Sequence, residues 1–218
     1  PGALSRLLGC PPNGGRITKV CLLWTVDRRG GLEELRRQVA EAVAVTRELD
    51  VVVGFDLAGD ESQGDPAVLS AAFAPAFEAC LPLTIHAGET TEAGAVWAAS
   101  YHLHADRVGH GLTLVDRSDL AERFRNRRLL VELCPSSNRE VVGFRDPAVP
   151  GTDQLPEYPL RRFIDLGIPV AICTDNPAIS RTSSVDEFLT AARMTPGGVT
   201  LWEVLALTRQ AFVHAFLP

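Results

Sequence analysis

Five short apolar runs in this chain each end in a polar signature, and that repetition limits the possible folds more than any other feature. VVVGF runs into DLAGDE, TIH into AGE, RVGH into a glycine, VEL into CPSSN, and AIC into TDNP. Runs this short, and apolar nearly throughout, suit strands buried on both faces of a parallel sheet. Helix-period stretches separate them, as with Leu32, Leu35, Val39, Val43, Thr46 and Leu49.

The pattern predicts strands at Lys19–Val26, Val51–Phe55, Leu83–His86, Arg107–His110, Leu129–Leu133 and Ile168–Cys173. Helices are predicted near 32–49, 66–80, 92–103, 118–127, 159–166, 184–194 and 200–216, with a loop from Cys134 to about Glu157. Repeated strand–helix units fit an open doubly wound sheet or a closed (β/α)8 barrel. Reactive groups from five strand ends converge only if the strands form a ring. The expected fold is therefore α/β, a (β/α)8 TIM-type barrel lacking its first two strands in this chain. Residues 1–218 read as one domain, with no repeat, low-complexity tract or linker.

A net charge of −6 gives no electrostatic footprint for nucleic acid or an anionic membrane. The cationic cluster Arg123–Arg128 is broken by Phe124 and Asn126 and reads as a solvated helix face. No apolar run approaches the roughly 20 residues that span a bilayer. The five cysteines are odd in number and form no CxxC pair. They read as free thiols of a reducing compartment, so a cytoplasmic location is expected.

Three endings carry the chemistry. In His86-Ala87-Gly88-Glu89 a strand-end His can offer a neutral nitrogen to a metal, and the Glu can carry a proton beside the water it activates. In Arg107-Val108-Gly109-His110-Gly111 a His stands between glycines that permit close backbone approach. Thr174-Asp175-Asn176-Pro177 offers a carboxylate and an amide. Asp56 either orients a metal ligand or caps a turn. Glu132, inside an apolar strand, is expected to be buried and paired. Ser136, Ser137 and Asn138 are expected to fix their loop, and His214 to be a core or surface residue. His102-Leu103-His104 has HxH spacing but closes a helix, where residues two apart point about 200° from one another and cannot chelate one ion.

Taken in order, VVVGFDLAGDE, TIHAGE, RVGHG, ELCPSSN and CTDNPAIS resemble the motifs of the adenosine deaminase family, within the amidohydrolase superfamily. The resemblance runs from about Lys19 to the end, and YPLRRFIDLGIPV and ISRTSSVDEF extend it. It implies zinc, one ion per chain, with His86 and Asp175 as ligands. It implies that Glu89 protonates purine N1 and that His110 holds and stabilises the attacking hydroxide. Gly59 would offer its N–H to N3. Asn176 stands where the family's TDDP motif has a second Asp that contacts N7.

The implied reaction is hydrolytic deamination of adenosine or deoxyadenosine. The implied partner is a small-molecule purine nucleoside, without nucleic acid or membrane. Two alternatives remain: another 6-aminopurine substrate (adenine, an adenine nucleotide or aminodeoxyfutalosine), or an inactive barrel with a binding role. The cytidine deaminase type of site is excluded, because neither H-x-E nor P-C-x-x-C occurs. The family's HxH pair should precede Lys19, where the chain has no His. A catalytic zinc takes three protein ligands plus water. The expectation is therefore a piece of a longer polypeptide, or a chain with segments absent, rather than a protein that has lost its metal.

Overall fold

The computed structural model describes residues 20–64 and 66–217. Its six strands are β1 (Leu22–Asp27), β2 (Val52–Ala58), β3 (Leu83–Ala87), β4 (Arg107–His110), β5 (Leu130–Leu133) and β6 (Val170–Ile172). They form one sheet in sequence order, and every neighbouring pair is parallel. Helices return the chain between strands: α1 (Gly31–Glu48), α2 (Pro66–Glu78), α3 (Ala93–His102) and α4 (Ser118–Arg127). Two more, α5 (Pro135–Val141) and α6 (Leu160–Leu166), lie between β5 and β6. After β6 come α7 (Pro177–Ser180), α8 (Ser184–Met194) and α9 (Leu201–Val213).

The core lies between sheet and helices. α1 buries Leu35, Val39, Ala42 and Val43, one stripe at helical spacing. Phe55, Leu57, Ile85, Val108 and Val131 pack beneath such stripes, each at most 1% exposed. β1 and β6 are the two edges of the sheet. Beyond β6, Ile179, Val185, Leu189 and Trp202 stay exposed on α7–α9. Among the described residues no helix is long and apolar enough to cross a membrane.

Most predicted elements stand within two or three residues of their expected bounds. Lys19, the first residue of the predicted opening strand, lies outside the described residues, and so does Cys10. β2 runs three residues further than expected. Asp56 and Leu57 pair with Thr25 and Val26 on one side and with Thr84 and Ile85 on the other, so the polar Asp is a strand residue. The predicted loop after Cys134 instead begins with α5. Pro135 supplies a first-turn residue with its φ already set, and the Asn138 N–H donates to the Cys134 carbonyl at 2.8 Å. The final helix ends at Val213, three residues short of the expected Phe216.

The segment after α5 is pinned by one acid. Asp146 is wholly buried and accepts hydrogen bonds from Arg139 (2.8 Å) and from Arg193 of α8 (2.6 and 2.8 Å). The Ala148 N–H adds a fourth at 3.0 Å.

Candidate active site

The site is built at the ends where the strands finish. His86 is the fourth residue of β3, and its ring is partly exposed at the strand end. The His86 Nδ1–H donates to Asp56 Oδ1 at 2.9 Å. A carboxylate only accepts, so this bond fixes the tautomer and leaves Nε2 with a free lone pair, the arrangement a metal-binding histidine requires. Of the two roles open to Asp56, the geometry supports orienting His86. Burial alone would lower the His86 pKa, but the Asp56 hydrogen bond and the charges of Asp56, Asp175 and Glu132 raise it overall.

His110 ends β4 in a left-handed conformation (φ 63°) and is 3% exposed. Its ring meets the His86 ring edge-on, with centroids 5.0 Å apart. Burial, with His86 beside it, pushes its pKa down to about 4, so His110 is neutral near pH 7. Its Nδ1 lies 3.3 Å from Glu89 Oε1. The Glu89 pKa is raised, first by burial and further by the charges of Glu61 and Asp175, against the Asn138 hydrogen bond, which lowers it. A raised pKa moves a carboxyl toward the range in which it can act as a general acid.

Three further residues, missed in the sequence, hold this arrangement. Glu61 accepts the backbone N–H groups of Gly88 (2.8 Å) and Glu89 (3.1 Å) and the Thr91 hydroxyl, so one carboxylate straps the turn that carries Glu89. The buried Arg28 guanidinium donates to the carbonyls of His86 (2.7 Å) and Leu57 (3.3 Å), tying the ends of β2 and β3 to the turn after β1. Asn138, expected to serve its loop, does bond the Cys134 N–H there. It also bridges Glu89 and His110, at 3.0 and 2.9 Å.

Gly88 is at φ +74°, and a Cβ there would sit 2.5 Å from Val96 Cγ2 and 2.7 Å from Thr113 Oγ1. Val96 is fully buried and cannot give way. Gly88→Ala is therefore expected to cost about 2 kcal/mol through strain and overpacking. A urea midpoint equal to that of the parent protein would contradict this.

The structure thus joins Asp56, His86, His110 and Glu89 in one chain of contacts. Asp175, left-handed at φ 52° just beyond β6, adds its charge to His86, His110 and Glu89. Asn176 donates to Asp175 at 3.1 Å. Gly59 follows β2 at φ +100°, close against Asp27. Both are exposed and stand outside that chain of contacts. Glu132 pairs with Arg107 (2.8 Å) and Thr84 (2.6 Å). His102 packs edge-on against Trp97 and His104 against Phe77, so the two have separate environments. His214 bonds the carbonyls of Gln210 and Arg128.

For a metal, the donor set here is partial. His86 Nε2 and the Asp175 carboxylate are suitable in kind. Among the described residues no group of three or more His, Cys, Asp or Glu side chains could hold an ion.

The family model described as "Adenosine deaminase" matches residues 9–218. The chain belongs to the adenosine deaminase family. A protein named adenine deaminase from Sinorhizobium medicae is 33% identical over 88% of this chain and 58% of its own length. One named adenosine deaminase from Enterococcus faecalis is 37% identical over 76% of this chain and 46% of its own. The chain thus spans about half the length of the curated relatives it matches. Among solved structures, an amidohydrolase from Burkholderia ambifaria with bound Zn superposes with a TM-score of 0.77 at 22% identity, over 91% of this chain and 52% of that one. The N6-mAMP deaminase of Arabidopsis gives 0.74 at 25% identity, over 91% and 55%. These likenesses place the six strands in a deaminase-type TIM barrel, of which this chain forms a part.

Proposed function

We propose that this chain carries the acid/base machinery and two metal ligands of a zinc-dependent aminohydrolase that converts adenosine or deoxyadenosine to the inosine product and ammonia. The observation that carries this reading is the half-buried Glu89 carboxyl, its pKa raised, set beside neutral His110 and next to metal-ready His86. Family membership supports it.

His86 through Nε2 and Asp175 would hold zinc together with ligands from outside this set. Zinc bound there would lower the pKa of water and supply a nucleophile at neutral pH. Attack at C6 breaks the aromaticity of the purine, and Glu89 delivers the proton that N1 then needs. Neutral His110 holds and stabilises the attacking oxygen. The Gly59 N–H would meet N3, and the Asn176 amide would donate to N7 without any change of ionisation. Ammonia release from a panel of adenosine, deoxyadenosine, adenine and AMP, with metal analysis alongside, tests the reading. No release from any of them by zinc-replete protein would leave a binding role for the barrel.

One observation favours a second substrate, adenine itself. Relatives named adenine deaminase match 83–90% of this chain, against 76–82% for those named adenosine deaminase. Preference for the free base in the panel would select it.

Asn176→Asp is expected to leave zinc content unchanged and to shift KM for substrates that keep N7 by about 10-fold, the scale of one hydrogen bond to a charged group. The shift should shrink with 7-deaza analogues. Equal shifts for both substrate types would remove the N7 role.

A further inference from the structure

Asn138 sits at the centre of the site with no exposed surface at all. Its Oδ1 accepts from the Cys134 N–H at 3.1 Å and from the Tyr158 hydroxyl at 3.0 Å. Its Nδ2 faces Glu89 Oε1 at 3.0 Å and His110 Nδ1 at 2.9 Å. A side-chain amide offers two acceptor lone pairs and two N–H donors, and all four are engaged. The amide cannot be turned around. The Cys134 backbone N–H can only donate, so the oxygen must face it and the NH2 must face the acid and the imidazole. His110 Nδ1 then receives an N–H and must be bare, which puts the ring proton on Nε2.

We propose that Asn138 is a positioning residue that locks His110 in its Nε2–H tautomer. Glu89 Oε1 and His110 Nδ1 are only 3.3 Å apart. Without the amide, an Nδ1–H on the neutral ring would donate to Glu89 Oε1, and Nε2 would lose its proton. With the amide in place, one N–H goes to each partner, and Nδ1 stays bare. The Cys134 N–H and the Tyr158 hydroxyl hold the amide for both. The consequence for turnover rests on the proposed deaminase reading, whereas the tautomer does not.

The test uses the metal-loaded full-length protein with 15N-labelled histidine. In the parent protein the His110 signals should show Nδ1 bare and Nε2 protonated near pH 7. In Asn138→Ala the proton should appear on Nδ1, kcat should fall about 10–100-fold, and KM should move less than about 3-fold, the scale for partners that orient reacting groups. Tyr158→Phe removes one of the two contacts on the amide oxygen and keeps the Cys134 N–H, so its kcat should fall by less than in Asn138→Ala and the His110 ring proton should stay mainly on Nε2. If Asn138→Ala does not fold, Asn138→Asp serves with the same readouts, since a carboxylate can only accept and should draw the proton to Nδ1. A parent spectrum with Nδ1 protonated overturns the lock. So does a folded Asn138 variant that keeps both the parent tautomer and the parent kcat. If the parent turns over no 6-aminopurine, the deaminase reading falls and the parent spectrum still decides the lock.

Discussion

Replacing Glu89 by Gln is expected to remove most of the proposed deaminase activity while leaving the fold and any bound zinc intact. Glutamine fills the same volume and still receives the Asn138 N–H, so the part-buried contact at 3.0 Å survives the change. What is lost is the proton. An amide has none to give N1, and general acid catalysis typically contributes about 10²–10⁴-fold. The expected fall in kcat is of that order, with KM for the purine nearly unchanged. Retention of more than about a tenth of the parent activity would take the acid role away from Glu89. Loss of zinc along with activity would show instead that the turn carrying His86 and Glu89 had been disturbed.

The largest expected loss of stability lies away from the chemistry, at Asp146. Its fully buried carboxylate holds Arg139 on α5 and Arg193 on α8 together. Removing one partner from a buried ion pair typically costs 3–5 kcal/mol. Both guanidinium groups keep some contact with solvent here, at 22% and 35% side-chain exposure, so Asp146→Ala should sit at the low end, about 3 kcal/mol. The Arg193 hydrogen bonds, with help from the Ala148 N–H and Arg139, hold the Asp146 pKa well below the usual carboxylate range. A depressed folded pKa means that stability is fully present above the unfolded value, near 3.9, and is lost as pH falls toward the folded one. The gap in urea midpoint between parent and Asp146→Ala should therefore be widest near pH 7 and narrow below about pH 4. A gap that does not change with pH would assign the loss to the cavity rather than to the charge.

Strand ends were legible in the sequence because apolar runs and polar endings repeat at local spacing. That is enough to put His86, Glu89, His110 and Asp175 at or just after strand ends, where the fold has them. The sequence puts Asp56 just beyond the strand predicted at Val51–Phe55, because a charged residue breaks the apolar run. In the fold it stays in β2, since its side chain finds the His86 ring, 30 residues away. The helix after Cys134 was hidden by Pro, Ser and Asn, which locally favour turns. Pro135 is in fact a first-turn residue, and Asn138 turns inward to polar partners that no local pattern specifies. Glu61 reaches Gly88 across 27 residues, and Arg28 reaches His86 across 58. Neither contact has a periodic signature. The DLAGDE ending did hold one usable signal: a second and a third acid after Asp56, close to a glycine-rich turn that needs its N–H groups satisfied.

All six strands run the same way, and each is followed by a helix that carries the chain back to the starting side. The molecule therefore has two rims with separate duties. The short returns at 49–51, 79–82, 103–106 and 128–129 open onto the rim where strands begin. Strands of 4 to 7 residues in β2–β5, at about 3.3 Å each, put that rim roughly 13–23 Å from the acid and the histidines. A dye or a surface tether at the exposed His104 would report on the protein, or immobilise it, from the rim opposite the candidate site.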